Sequence, residues 1–478
     1  MDAAKTTGLL SIVENGLRPQ AAHPKKVLII GAGMAGLTAG YELQRAGHEM
    51  TILEATNRVG GRVLTIREPF SDGLYGEAGA MRLPMSHKLT HAYIKKFGLK
   101  TMPFTKASDK AFFYINGIRQ LRSEAIIDPS VLKLKFTSPN KNQTILKRWE
   151  EFVLHTAERM RANEGYWDEL TSQYGNISVY EFFRMDGWDG EAITSFAVIE
   201  VMEAIMSNSF LDALQLELQW VGVDMNQIAG GMDRLPNAFL TKMKPHIRFG
   251  SEMVAIDYTS DSVTIHYQNE DGPQQITGDF AIIAIPFSVL RHVDIVKPFS
   301  QAKQAAIRQL HYENIAKIFI QCRRRFWEED ESLFGGATVT DLPNRLIFYP
   351  DHGRETKKGI LMASYAYGEE ADRWAALSRE ERITRVLKHT AKIHPQIMSE
   401  FEVGASKVWG EDKYAGGACA FFQPGQPARL HESIIAPEGP VFFAGEHASL
   451  KHMWIEGAVE SGLRAASEIH ERSFEIIL

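Results

Sequence analysis

The sequence predicts a protein of mixed α/β and α+β class: a discontinuous Rossmann-like dinucleotide-binding domain, a substrate domain built on a mixed sheet, and a helical insertion. Three observations lead there. A strand, glycine-turn, helix, strand unit begins at Val27. Apolar residues at helical spacing replace strand patterns between about 105 and 235. A second buried strand followed by a helix, from Val441 onward, closes the chain.

Taken in order, residues 1 to 24 read as a short helix (Leu9, Leu10, Ile12, Val13) and a proline-containing link. Val27-Leu28-Ile29-Ile30 is a continuous apolar run, the pattern of a strand buried on both faces. It leads straight into Gly31-Ala32-Gly33-Met34-Ala35-Gly36, a helix to about Arg45 that stops at Gly47, and a strand from Met50 to Leu53 ending at Glu54. Apolar spacing around 145 to 160 and 193 to 218 predicts helices, and strand patterns return at 247 to 267, 281 to 285, 316 to 321, 346 to 349 and 361 to 367. The last strand, Val441 to Ala444, precedes a helix from about Glu456 to Arg472. On this reading residues 25–65, 230–310 and 435–473 form the dinucleotide-binding domain, 66–125 and 311–434 the substrate domain, and 126–229 the helical insertion.

A chain of 478 residues is long enough for two or three domains. Its 44% hydrophobic and 23% charged residues are those of a soluble globular protein, which excludes disordered and fibrous classes. The net charge of -6 supplies no field for nucleic acid or anionic lipid, and the run Arg323 to Arg325 reads as a solvated edge. Cys322 and Cys419 alone offer neither a disulfide framework nor a metal knuckle, so a reducing, cytoplasmic setting is expected. Asp2 and Glu14 near the start are unlike a secretory signal, and no run approaches the roughly 20 apolar residues of a membrane span. Gly-x-Ser-x-Gly and His-Glu-x-x-His patterns are absent, and His447 and His452 have incidental spacing, so no metal site and no hydrolytic chemistry are expected.

The glycine triplet lies between a buried strand and a helix, with Glu54 at the end of the next strand. The glycines permit a sharp turn and close approach to a pyrophosphate, whose charge the helix N-terminus stabilises, while the acid binds ribose hydroxyls. FAD rather than a nicotinamide is indicated by Glu54-Ala55-Thr56-Asn57-Arg58-Val59-Gly60-Gly61-Arg62, an arginine-flanked glycine pair just past that acid. This stretch closely resembles the flavin amine oxidase family. The resemblance continues through Gln227-Ile228-Ala229-Gly230-Gly231-Met232-Asp233-Arg234-Leu235-Pro236 and ends in Phe443-Ala444-Gly445-Glu446 with Trp454-Ile455-Glu456-Gly457-Ala458. It covers most of residues 25 to 470 and implies the amine oxidase fold with bound FAD. By that resemblance Gly31, Gly33, Gly36, Glu54, Arg62, Val254 and Glu446 bind the ADP and diphosphate portion, and Trp454 and Ile455 lie near the isoalloxazine. Ala35, Ala55, Gly61, Gly79, Ala80, Met81, Arg82, Gly445 and Ala458 complete the cofactor contacts. For Glu446 a plain helix N-cap is the alternative.

The segment Tyr75-Gly76-Glu77-Ala78-Gly79-Ala80-Met81-Arg82-Leu83-Pro84 is similar to that of L-amino acid oxidases, the bacterial ones above all, where its arginine binds the substrate carboxylate. A planar guanidinium makes two parallel hydrogen bonds to a carboxylate, which amines without one do not need. A structural ion pair is the alternative for Arg82. In Ser364-Tyr365-Ala366-Tyr367-Gly368 strand alternation puts both tyrosines on one face, and the resemblance makes Tyr365 a second carboxylate contact; an aromatic core pair is the alternative. Lys317 stands in Ile315-Ala316-Lys317-Ile318-Phe319-Ile320, apolar on both faces, so it is expected to be buried and functional unless the strand is a solvated edge. The resemblance gives it a catalytic role: holding a water near the flavin and assisting reaction with dioxygen.

Tyr414-Ala415-Gly416-Gly417-Ala418-Cys419 resembles the segment that carries the flavin-linked cysteine of monoamine oxidases, but the matching position is Ala418, so FAD is expected to be noncovalent. Trp454 stands where those enzymes have a cage tyrosine and is assigned to substrate binding with Arg82 and Tyr365. The implied reaction is FAD-dependent oxidative deamination of L-amino acids to 2-oxo acids, with ammonia and hydrogen peroxide released and dioxygen as acceptor. A flavin amino acid 2-monooxygenase, a mono- or polyamine oxidase and a catalytically silent flavoprotein scaffold remain as alternatives, and a homodimer is compatible with the sequence. Residues 200 to 227 with Met453 and Trp454 are expected to wall a pocket for apolar and aromatic side chains.

Overall fold

The computed structural model describes residues 3–474 apart from 22, 140 and 164, and the side chains from residue 6 onward. Its first layer is a five-stranded parallel sheet, ordered Ile247–Arg248, Glu49–Leu53, Lys26–Ile30, Phe280–Ile283, Val441–Phe443. Strand alternation splits the apolar runs between two cores. Val27, Ile29, Ile52, Ile282 and Phe442 face the helices, and Leu28, Ile30, Leu53, Ala281, Ile283 and Phe443 face a second sheet. A strand covered on both sides has no use for polar residues, which is why these strands read as unbroken apolar runs.

On one side lie the helices Met34–Arg45 and Ile455–Arg472, packed on each other. They approach closely because Gly462 carries no side chain: a Cβ there would lie 2.4 Å from the Ala35 carbonyl oxygen. The other side is covered by a four-stranded sheet ordered Gly272–Gly278, Val263–Asn269, Glu252–Tyr258, Asp294–Ile295. Its register shifts between Met253 and Ala255, which leaves Val254 as a bulge.

The remaining chain builds a seven-stranded mixed sheet, ordered Phe401–Val408, Ile315–Cys322, Gly359–Tyr367, Leu346–Phe348, Ala337–Thr340, Phe112–Ile115, Ile118–Leu121. Ile315–Cys322 is paired on both edges and buried along its length, so the solvated-edge alternative for Lys317 falls. Between the strands of this sheet the chain forms the helices Ile145–Ala162, Tyr166–Tyr174, Val179–Met185, Gly190–Glu200 and Phe210–Leu218 around an aromatic core of Trp149, Phe182, Phe183, Phe196 and Phe210. The helical spacing expected over 193 to 218 is broken at Val201, whose left-handed φ of 57° ends one helix before the next begins. Met225–Ile228, at the end of this helical stretch, is a strand paired with Leu83–Pro84 and Thr101–Pro103.

Candidate active site

One cavity of about 520 Å³, a volume in the range of small-molecule sites, runs from the glycine turn to the seven-stranded sheet. Of the residues singled out in the sequence it is lined by Gly31, Gly33, Ala35, Glu54, Ala55, Gly61, Arg62, Gly79, Ala80, Met81, Arg82, Val254, Lys317, Tyr365, Gly445, Glu446, Trp454, Ile455 and Ala458. Gly36 lies behind this surface. A Cβ at Gly36 would sit 2.0 Å from the Gly31 carbonyl oxygen, so its part is to let the helix start tight against the turn. At Gly33 a Cβ would meet no protein atom within 4 Å. Gly33 therefore keeps cavity space open at the start of helix Met34–Arg45, whose first turn has no side-chain cap and leaves backbone N–H groups available to an anion.

The Glu54 carboxylate is held on this floor by the Ala32 N–H (2.8 Å) and by the N–H and hydroxyl of Thr56 (2.9 and 2.7 Å). Three of its four acceptor positions are used, and one remains for a ribose hydroxyl. The bulge at Val254 turns that residue out of the ladder and into the cavity wall. Together the uncapped helix start, the open space at Gly33 and the anchored acid fit the ADP and diphosphate of FAD.

Half-buried Arg62 and buried Glu446 form an ion pair at 2.8 Å. Glu446 also accepts from the backbone N–H groups of Ala420 (3.1 Å) and Met453 (3.0 Å). Burial works to raise its carboxyl, but Arg62, His452 and His447 outweigh that and hold it below the ordinary value. Glu446 is thus a clasp between three segments. It is not the N-cap of the long C-terminal helix, a place taken by Trp454, so that alternative falls. Met453, held by this clasp, adopts a left-handed φ of 69°, a conformation that costs energy in a non-glycine residue and here delivers Trp454 to the cavity. Burial raises the Cys419 thiol above its ordinary range, which keeps it protonated and a poor nucleophile.

Lys317 is 2% exposed, and its ammonium donates to the carbonyl oxygens of Glu77 (3.0 Å) and Gly79 (2.6 Å). Two of its three N–H donors are spent on the segment that carries Arg82, and the third is left to the cavity. Burial pushes its pKa down to about 7, with Glu77 opposing and Arg82 assisting the shift. Burial raises Glu77 to about 7; its carboxylate accepts from the Met232 N–H (2.8 Å) and the Thr65 hydroxyl (2.9 Å). The tyrosine pair on one face holds as the alternation requires, with ring centroids 4.6 Å apart.

Arg82 is half-buried and, among the described residues, has no ion pair and no side-chain hydrogen bond. The structural ion-pair alternative therefore has no partner to stand on. Its guanidinium lies 4.7 Å from the centre of the Trp220 ring, and Trp220 meets Trp454 edge-on at 5.9 Å. The helical stretch supplies the far wall, as its position in the chain suggests. The stretch 200 to 227 also brings Glu200 and Glu217 to the cavity, charges that the expectation of an apolar pocket passed over, and Lys106 and Arg122 line it from an earlier part of the chain. Lys106 stands in a polar loop, where solvated charge is the ordinary reading, whereas Glu200 and Glu217 stand among apolar residues, between Ile199 and Val201 and between Leu216 and Leu218, a signal that was passed over.

Known proteins are similar to this chain over nearly its whole length. The flavin-containing amine oxidoreductase family matches residues 34–470. YobN of Bacillus subtilis (strain 168), which carries a provisional L-amino-acid oxidase name, is 38% identical over 98% of this chain and 99% of its own. The L-amino-acid oxidase of Vipera ammodytes ammodytes is 33% identical over 97% of this chain and 96% of its own. Among solved structures, putrescine oxidase bound to putrescine superposes with a TM-score of 0.75 at 21% identity, covering 93% of this chain and 99% of that one. Cyclohexylamine oxidase from Brevibacterium oxydans IH-35A gives 0.75 at 18% identity, covering 94% and 99%. At those identities the two structures are evidence of a shared fold.

Proposed function

This chain belongs to the flavin-containing amine oxidoreductase family, and within it we propose that it binds FAD noncovalently and oxidises L-amino acids to 2-oxo acids, with ammonia and hydrogen peroxide as co-products. The observation that carries the reading is Arg82: a guanidinium in the cavity wall with no acidic partner among the described residues, beside Tyr365, Lys317 and Trp454. A half-buried guanidinium whose donors have no protein partner among the described residues is open to a substrate carboxylate, which its planar fork matches. A mono- or polyamine would leave its donors unoccupied.

FAD, which Gly33, Glu54, Arg62 and Glu446 would help hold, would supply two-electron redox chemistry between the substrate Cα–H and dioxygen. The protein's part is placement. Arg82 offers its planar fork and Tyr365 a hydroxyl to the α-carboxylate, so the substrate is held by one end and the Cα–H bond is fixed in direction, which converts an encounter into a positioned step. Trp454 and Tyr365 limit water at the amine end. Lys317 keeps one N–H free for a water or for dioxygen chemistry. No side chain is needed to take the Cα hydrogen as a proton.

Product analysis tests the reading. Peroxide and 2-oxo acid in equal amounts from an L-amino acid support it. Amide and carbon dioxide would make the chain a monooxygenase, and turnover of amines in preference to amino acids would overturn the role of Arg82. Acid precipitation should leave the flavin in solution, whereas flavin retained on the chain would contradict noncovalent binding.

A further inference from the structure

We infer that Trp220 and Glu217 are positioning residues for Arg82: the indole face holds the guanidinium in place, and Glu217 fixes the indole. The inference deepens the proposed function and rests on its assignment of Arg82 to the substrate carboxylate.

An arginine that must receive a carboxylate poses a physical problem. Its long side chain has many rotamers and needs restraint, yet an acidic restraint would occupy the donors and compete with substrate. An aromatic face resolves this. The ring attracts the cation through its negative face, and the N–H donors, which lie in the guanidinium plane, stay free. The geometry here has that form, with the Arg82 guanidinium 4.7 Å from the Trp220 ring centre and no hydrogen-bonding partner among the described residues.

The ring is itself fixed. Trp220 follows helix Phe210–Leu218, and its indole N–H donates at 2.8 Å to Glu217, three residues earlier. Trp454 meets it nearly perpendicular, at 83° and 5.9 Å. The Lys106 ammonium lies 4.3 Å from the same ring centre. Glu217 touches neither of the two cations that share the indole: among the described residues the indole N–H is its one side-chain partner, and burial raises its carboxyl to about 7. Neither Trp220 nor Glu217 need contact the substrate, since both act through Arg82.

The test uses the holoenzyme, with flavin content and thermal stability checked for every variant. Two quantities are read: the amino acid concentration for half-maximal anaerobic bleaching of the flavin absorbance, and the dissociation constant of the matching decarboxylated amine, obtained by competition. Trp220→Leu should raise the first by about two- to thirtyfold, the span of a cation–π contact, and leave the second and the limiting bleaching rate nearly unchanged. Trp220→Phe, which keeps a π face, should recover part of the loss. Glu217→Gln, whose amide oxygen can still accept from the indole, should lie closer to wild type than Glu217→Ala. Equal losses on acid and amine, or no loss for Trp220→Leu, would overturn the inference. So would a cost of Glu217→Ala confined to basic amino acids, since Glu217 would then touch the substrate. Arg82→Ala run in parallel separates the two levels. If it is carboxylate-selective and the Trp220 variants are not, this inference alone fails; if it is not selective, the assignment of Arg82 fails and takes this inference with it.

Discussion

Lys317 and Tyr365 stand directly opposite each other on adjacent antiparallel strands, with the ammonium nitrogen 4.6 Å from the centre of the phenol ring. The pairing ties a residue assigned to dioxygen chemistry to one assigned to the substrate carboxylate. The same ammonium grips the carbonyl oxygens of Glu77 and Gly79, so strand Ile315–Cys322 sets the position of the arginine segment as well.

Lys317→Met keeps the length and apolar packing of the side chain while removing its charge and donors. The variant should fold and retain flavin, and its reaction with dioxygen should slow far more than anaerobic bleaching by substrate. Because burial brings Lys317 to a pKa of about 7, the ammonium form is lost as pH rises through that value. If that form serves the dioxygen step, the wild-type rate of that step should fall over the same range and the variant's should be flat. Stopped-flow measurement of the two half-reactions against pH decides the matter: an unchanged dioxygen step excludes the role, and loss of flavin makes the residue structural.

Arg82→Ala should weaken amino acid binding by about 2 to 5 kcal/mol, the usual cost of removing one partner of a buried charged pair. The decarboxylated amine should bind nearly as before, as competition experiments would show. Equal weakening of both would mean that Arg82 supports the flavin or the fold.

Two glycines of the first turn should fail in different ways. Gly33→Ala places its methyl in open cavity space at an ordinary φ of -72°, so the protein should fold with near wild-type stability. Its affinity for FAD should fall about tenfold or more, as when one hydrogen bond to a charged group is lost. Gly36→Ala drives a methyl into the Gly31 carbonyl oxygen and should lower stability with or without flavin. Denaturant unfolding and flavin titration of the two variants distinguish the cases, and a Gly33→Ala protein with unchanged FAD affinity would remove the diphosphate from that position.

Glu446→Ala removes the partner of half-buried Arg62 and the acceptor of two backbone N–H donors at once. Destabilisation of about 1 to 3 kcal/mol is expected, the cost of leaving buried donors without an acceptor. Glu446→Gln, which keeps an acceptor oxygen, should cost less. Because the clasp also holds Met453, indole fluorescence from the Trp454 region should shift in Glu446→Ala even below the unfolding transition. A loss under about 1 kcal/mol would show that solvent readily replaces the clasp.

The dinucleotide half was legible in the sequence because its determinants are local: an apolar run for a doubly covered strand, glycines where a carbonyl comes within 2.0 Å of a missing Cβ, and an acid at the end of the next strand. The burial of Lys317 was legible for the same reason, since alternation along six residues already showed two apolar faces. The surroundings of Arg82 were not. Chain neighbours deliver it to the cavity, but its freedom from ion pairs and its contact with Trp220 depend on a helix more than a hundred residues away in sequence. The role of Glu446 as a clasp, the use of Glu77 and Gly79 carbonyls by Lys317 and the exposure of Val254 at a bulge are likewise products of packing. Periodicity reports which face of an element is buried, because that is set by bonded geometry. Which group meets which across the cavity is set by how separate elements pack, and only the tertiary structure decides it.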